Sequence, residues 1–315
     1  MAALTLALGT LKSRKTRDPK VPATIGATRA LPPAELPALA YLPEDCNLVA
    51  GIHVADLLKS ARGKRLLASP RLNGSDQGSN WQGLNCIEGW TGLQASAFDH
   101  VALGARIDGD VPHLVAVLRT RQPYRLEELA GRFPGKAFPH HKRPLFRIKL
   151  QPVGGGYLWC ADERTLVLLL RPDAVKIEDM DRVPAFPRQA DAALAPPLRK
   201  IVDEHLRQAD IWLAGDVQRP ETLGNLLRFV PILSKPSPPM AQARSFAVSA
   251  REDGELTILG FVSVRDEVGL RAWREFLESV ALPAGATRRV IPTAERKQID
   301  FQVRLPAVQI QDVQP

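Results

Sequence analysis

Cysteine is scarce: Cys46, Cys86 and Cys160 are the only three in 315 residues, and no two lie close together. That spacing excludes a locally built zinc knuckle or a CxxC redox pair, and leaves room for one disulfide with one thiol over. Long apolar runs are lacking too. A membrane-spanning helix needs roughly 20 apolar residues, and the apolar segment Met1–Leu11 is about half that, so it cannot cross a bilayer as written. Local catalytic signatures are also missing. No Ser or Cys sits in a GxSxG setting. Asp203-Glu204-His205 lacks the first histidine of HExxH, and Asp179 and Asp181 lack the spacing and glycine of a calcium loop. Gly154-Gly155-Gly156 lacks a following Lys-Ser/Thr and precedes an apolar run, so it reads as a hairpin turn and not as a phosphate cradle.

The net charge of +8 favours anionic surfaces, but the basic residues are spread along the chain. Local density occurs only in Lys12 to Lys20 and in Lys136 to Arg147. His140-His141 falls in the second of these, with no Cys, Asp or Glu beside it to complete a metal shell, and reads as part of a solvated basic loop. Asp99-His100 has the look of an acid–base dyad but lacks a nucleophile, and reads as the start of a strand. No cofactor or metal is expected, no catalytic residue is assigned, and nucleic acid is not an expected partner.

What the chain does carry is an internal repeat. Val101–Val117 and Phe246–Val262 are offset by 145 residues and share Ala, Ala, Arg, Asp, Gly, Leu and Val at matching positions. In each, an apolar run leads through Asp-Gly (Asp108-Gly109, Asp253-Gly254) into another. Asp-Gly suits a two-residue type I′ hairpin turn, which needs positive φ at both central residues. The elements around the hairpins recur as well. A strand at Asn47–Val54 with a helix over Ala55–Ala68 is answered by Asp210–Val217 with a helix over Pro220–Phe229. Helices over Tyr124–Phe133 and Val268–Val280 follow the hairpins, with apolar residues on one face. Strands over 144–150, 157–160 and 165–170 are answered by strands at 289–292 and 298–305.

The fold class implied is α+β: two similar halves, each a mostly antiparallel sheet with helices packed on it. The boundaries read as an apolar stub and disordered basic, Pro-rich linker over 1–40, a first repeat over 41–180, a connecting helical segment over 181–209 and a second repeat over 210–315. Within the connection, a helix is expected near Pro197 to Arg207. Trp159, Trp212 and Trp273 fall in periodic elements and are assigned to the core. Trp81 and Trp90 flank the aperiodic insert Arg71–Asp99 and are the candidate ligand-binding residues, since loops on a rigid scaffold commonly carry binding.

Leu42-Pro-Glu-Asp-Cys-Asn-Leu-Val-Ala-Gly-Ile-His-Val-Ala-Asp-Leu-Leu58 resembles the opening of duplicated extracytoplasmic modules of bacteria, especially planctomycetes. Such modules often follow a single membrane helix, sometimes behind a serine/threonine kinase. The resemblance brings no functional residues with it. It implies a non-enzymatic binding or scaffolding module in the bacterial cell envelope, on the extracytoplasmic side, with a protein or an anionic envelope component as partner. Two readings of Met1–Leu11 stay open: a disordered or surface-associated segment, or the distal end of a membrane helix that starts upstream and leaves the bilayer at Lys12, Arg14 and Lys15. The alternative function is a soluble, cytoplasmic enzyme whose site is assembled from dispersed residues.

Overall fold

The computed structural model describes residues 31–61, 63–64, 85–106, 113–133, 135–150, 154–171, 176–189, 192–217 and 239–306. They form an α+β fold around a large antiparallel sheet. Its twelve strands are β1 (Leu48–Ile52), β2 (Phe98–Arg106), β3 (His113–Thr120), β4 (Phe138–His140), β5 (Arg143–Leu150), β6 (Gly154–Cys160), β7 (Thr165–Arg171), β8 (Ile211–Asp216), β9 (Ala243–Asp253), β10 (Glu255–Val264), β11 (Thr287–Thr293) and β12 (Gln298–Leu305). The order across the sheet is β11-β12-β10-β9-β8-β1-β2-β3-β7-β6-β5-β4. The sequence pattern implied a sheet for each half. Instead β1 and β8 pair along their length, Leu48 opposite Gly215 and Ile52 opposite Ile211, and weld everything into one sheet. Two short strands, each an edge of its own half-sheet, bury their backbone groups against each other; left unpaired, those edges would invite association.

Side chains alternate between the faces with the strand period of two. In β3 and β7, Ala116, Leu118, Leu166, Leu168 and Leu170 join one core cluster, whereas Val115, Val117, Val167 and Leu169 join the other. Burial on both faces makes a three-layer molecule. The first face is covered by α1 (Val54–Leu57), α2 (Asn85–Thr91), α3 (Leu126–Ala130) and α5 (Glu267–Ser279). α5 starts where the Asp266 side chain accepts a hydrogen bond from the Gly269 N–H at 2.8 Å, an N-cap. Its apolar residues then recur at helical spacing and bury Trp273, Phe276 and Leu277. The helix expected over Ala55–Ala68 is shorter: α1 ends at Leu57, with Leu57 and Leu58 in the core. The expected helix over Pro220–Phe229, the Asp108-Gly109 turn and the stub Met1–Leu11 lie outside the described residues.

The second face is covered by 3-10 turns at Pro33–Glu35, Pro37–Tyr41 and Ile177–Arg182 and by α4 (Pro196–His205). The first two correct the linker expected over 1–40. Composition there argued for a segment with too little apolar surface to fold, yet Ala34, Leu36, Ala38, Leu39 and Tyr41 are all buried. The prolines are the reason. Pro33 and Pro37 each sit at the start of a 3-10 turn, where φ near −65° is already required and the missing N–H costs nothing, so every third or fourth residue is directed at the sheet. The folded unit therefore begins by Pro33.

Two turns differ from expectation in an instructive way. At the β9–β10 connection Gly254 has φ +71°, as expected, but Asp253 is not in the left-handed region. Glu252 pairs with Leu256, and Asp253 with Glu255, so the loop has an odd number of residues and is not type I′. The two-residue turn with positive φ at both positions occurs instead at His141 (φ 47°) and Lys142 (φ 63°), between His140 and Arg143 of the β4–β5 hairpin. Neither residue favours that conformation. Lys142→Gly is accordingly expected to raise stability by about 0.5–1 kcal/mol, readable as a higher urea midpoint at unchanged slope; a lower midpoint would contradict it. The Gly154–Gly156 run, expected as a turn, is the first part of β6, pairing with Leu150, Lys149 and Ile148. Both edge strands carry proline, Pro139 in β4 and Pro292 in β11.

Candidate functional site

Of the residues singled out in sequence, Trp81 lies outside the described residues. Trp90 belongs to α2, is half-buried, and packs against the first-face core; the expectation of an exposed binding tryptophan is corrected accordingly. Trp159, Trp212 and Trp273 are core, with exposures of 1%, 0% and 2%. His140 is not simply solvated. Its ring meets the Trp159 ring edge-on at 5.1 Å, and the Trp159 indole N–H donates to the His140 carbonyl at 3.2 Å. Burial, with help from His141, pushes the His140 imidazole below its ordinary pKa. His205 stacks on Phe261 with ring centroids 3.5 Å apart. Cys46 and Cys160 are buried free thiols, and burial raises them to about 12 and about 11, far from the thiolate that reactivity needs. Among the described residues, no group of three or more His, Cys, Asp or Glu is arranged to hold a metal ion.

The Asp99-His100 pair has a structural assignment. His100 is 1% exposed; its Nδ1 lies 2.8 Å from Asp99 Oδ2, and its Nε2 accepts a hydrogen bond from the Ala38 N–H at 3.3 Å. Accepting at Nε2 requires the tautomer that donates from Nδ1 to the carboxylate, so both ring nitrogens are committed. The hydrogen bond to His100 holds the Asp99 carboxyl below its usual range, against the opposing effect of burial. A similar lock holds Asp162. Burial pushes this carboxyl up, but hydrogen bonds from the Arg164 N–H, Thr165 and Tyr41, with Arg119 nearby, outweigh it and keep it low. Tyr41 donates its hydroxyl to Asp162 Oδ2 at 2.9 Å. Burial, then that bond, raises the Tyr41 phenol.

The one sizeable concavity among the described residues, about 500 Å³, lies on the other side of that corner. One wall is the approach to β2 (Leu93, Ser96, Ala97) and the other is the end of β3 with the loop into α3. The walls are tied together: the Arg121 N–H donates to the Ala97 carbonyl at 2.8 Å. The Arg164 guanidinium braces the loop, donating to the Thr120 carbonyl at 3.0 Å and the Arg121 carbonyl at 2.7 Å. Tyr124 fixes the middle of the loop by donating its hydroxyl to the Asp162 carbonyl. On this rigid frame Arg121, Arg125 and Arg132 line the concavity together with a single acid, Glu128. Glu128 pairs with Arg125 at 2.9 Å, while Arg121 and Arg132 form no ion pair among the described residues. Leu93, Ala97, Pro123, Tyr124 and Leu129 supply apolar lining. Arg132 is placed by close approach to Gly92 (φ +70°), where an added Cβ would come within 2.1 Å of its guanidinium. An unpaired arginine pair above an apolar wall can take an anionic group with an apolar body attached.

Sequence reasoning pointed to the insert Arg71–Asp99, and Leu93, Ser96 and Ala97 of this concavity belong to it. The arginines were missed. They come from one short stretch, Arg121 to Arg132, but neither the charge run nor the motif pattern there is distinctive, and only the fold sets them against Leu93.

No family model matches this chain, and no curated protein matches it. Among solved structures, two crystal forms of the Treponema protein TP0453 are similar: form I at 9% identity and TM-score 0.44, covering 86% of this chain and 93% of that one, and form III at 10% identity and TM-score 0.43, covering 89% and 96%.

Proposed function

We propose that this chain is a binding module whose ligand carries an anionic group on an apolar body, held in the concavity between the approach to β2 and α3. The observation that carries this reading is the convergence of Arg121 and Arg132, without acidic partners among the described residues, on an apolar wall. An anionic envelope component fits that chemistry. In this reading the residues before Leu31 serve as the tether of an extracytoplasmic, membrane-anchored protein; the support is the apolar stub followed by Lys12, Arg14 and Lys15. No helix among the described residues is long and apolar enough to cross a membrane, so the tether rests on that N-terminal stretch. Duplication of one ancestral unit is part of the same proposal. Its support is the strand order outward from the central seam, β1-β2-β3-β7-β6 on one side and β8-β9-β10-β12-β11 on the other, together with the residues shared by Val101–Val117 and Phe246–Val262.

The test is titration calorimetry with inorganic phosphate and with hexyl phosphate below its micellar concentration. Hexyl phosphate is expected to bind more tightly than phosphate, with affinity falling as salt rises. The Arg121→Ala/Arg132→Ala variant is expected to lose at least about tenfold, each lost charge-assisted contact being worth about 1.5–3 kcal/mol. Absence of saturable binding, or binding unchanged in that variant, would remove the site.

A further inference from the structure

The segment 33–42 lies across the second face of the sheet and is pinned to β2 by a single side chain. Ala38 donates its N–H to His100 Nε2 at 3.3 Å, the only described hydrogen bond between this segment and an imidazole. His100 Nδ1 is held by Asp99 Oδ2 at 2.8 Å, so the ring cannot turn its other nitrogen to Ala38 without breaking that contact. A second histidine lies beside it: the His53 ring is 6.5 Å from the His100 ring, and His53 is 4% exposed. Its backbone N–H donates to the Asp210 carbonyl at 2.8 Å, but its buried Nε2 has no hydrogen-bond partner. The charged and titratable groups facing the pair are few. Asp56 of α1 stands 3.9 Å from His53 Nδ1; Asp99 faces both rings, and Arg164 acts on Asp99. Two imidazoles with an apolar segment laid over them are stable there only while neutral.

We propose that residues 33–42 form a proton-released strap: uptake of a proton at His100 turns the acceptor beneath Ala38 into a second donor, and the strap lifts from the sheet as pH falls. With Nε2 protonated, two N–H groups face each other where a hydrogen bond was, and the lost bond leaves a buried donor on each side. Protonation also places positive charge next to His53, which shares the buried corner. His53 itself adds to the effect in the same direction. Burial, then the neighbouring His100, lowers its pKa from 6.5 to about 4 in the folded protein. The unfolded chain therefore binds the proton first; neutral His53 contributes stability in full above pH 6.5, and that contribution is lost as pH falls from 6.5 towards 4. The strap is also the route by which the chain joins residues 1–30, so its release would lengthen whatever connection they make. This inference stands independently of the anion site, since it involves neither Arg121 nor Arg132.

Hydrogen exchange on the full chain, followed by mass spectrometry and corrected for the intrinsic pH dependence of exchange, tests it. Between pH 7.5 and 4.5 the amides of residues 34–42 are expected to lose at least about tenfold in protection while those of β9 and β10 keep theirs. In His100→Gln the amide oxygen can still accept from Ala38 but cannot titrate, and protection of the strap is expected to stay level. A wild-type strap equally protected at both pH values overturns the proposal, as does the same loss in His100→Gln. His53→Gln gives an independent reading in case His100→Gln does not fold: with the neighbouring imidazole gone, the midpoint of strap release is expected at higher pH, and an unchanged or lower midpoint counts against the paired arrangement.

Discussion

A chain that begins at Leu42 is expected to melt at least about 15 °C below one that begins at Leu31, or to fail to fold cooperatively. The truncation removes Leu36, Leu39 and Tyr41, which are 3%, 1% and 4% exposed, and bares Val49, Ala102, Val115, Val117 and Trp159 beneath them. Losing one large buried side chain costs about 2–5 kcal/mol. Three at once approach the whole stability of an ordinary domain, about 5–15 kcal/mol, and each kcal/mol moves the melting temperature of a chain this size by roughly 2–4 °C. Part of the loss lies outside the apolar contacts: His100 Nε2 and Asp162 Oδ2 lose the Ala38 and Tyr41 donors. Removing residues 1–30 alone is expected to leave the transition where it is, on the strength of their composition. Equal melting temperatures for chains starting at Leu31 and Leu42 would show that the buried turns add nothing.

The second large effect is expected at the seam between β1 and β8. Trp212 is fully buried there, directly opposite Gly51. An added Cβ at Gly51 would come within 2.4 Å of the indole ring, closer than atoms pack, so only glycine lets the ring lie on the β1 backbone. Trp212→Ala is expected to cost about 3–5 kcal/mol through the cavity it leaves. Gly51→Val is expected to cost about 1–3 kcal/mol by overpacking. The two defects are complementary in shape, so the double variant should be less unstable than the sum by about 1 kcal/mol or more. Trp212→Phe should be mild by comparison, because the indole N–H is buried without a partner and its loss removes an unsatisfied donor. Chemical denaturation of the four variants checks this, and strict additivity in the cycle would mean that the ring and the glycine are not in contact.

Much of the sheet was legible because strand signals are local. Gln298–Leu305 alternates in polarity and is β12 to the residue, and Trp273 and Leu277 mark the buried stripe of α5 at helical spacing. What was not legible depends on partners far away in the chain. Nothing in Leu48–Ile52 says that it will pair with Ile211–Gly215, so two half-sheets were expected where one exists. Pro33, Pro37 and the alanines between them have the composition of a linker; only the apolar face of β2 and β3 makes 3-10 turns there worth their ordering. His141-Lys142 carries no turn residue in the usual sense, and its left-handed backbone follows from the two-residue connection of β4 to β5. Arg121 and Arg132 look like ordinary surface charge until the Arg121–Ala97 backbone bond sets their loop against Leu93.

The two prolines at the margins of the sheet set a limit on how copies of this chain can associate. A twelve-stranded sheet with open margins would be a polymerisation front, each new copy adding a row of main-chain hydrogen bonds. Proline is tolerated in a marginal strand where its nitrogen faces away from the neighbour, so Pro292 in β11 and Pro139 in β4 each leave a gap where an arriving strand would need a donor. Sideways growth into fibres is thereby disfavoured at both ends, even for a protein crowded on a surface. Any assembly is left to the helical faces and the loops, which can be reversible and selective in a way that strand addition is not.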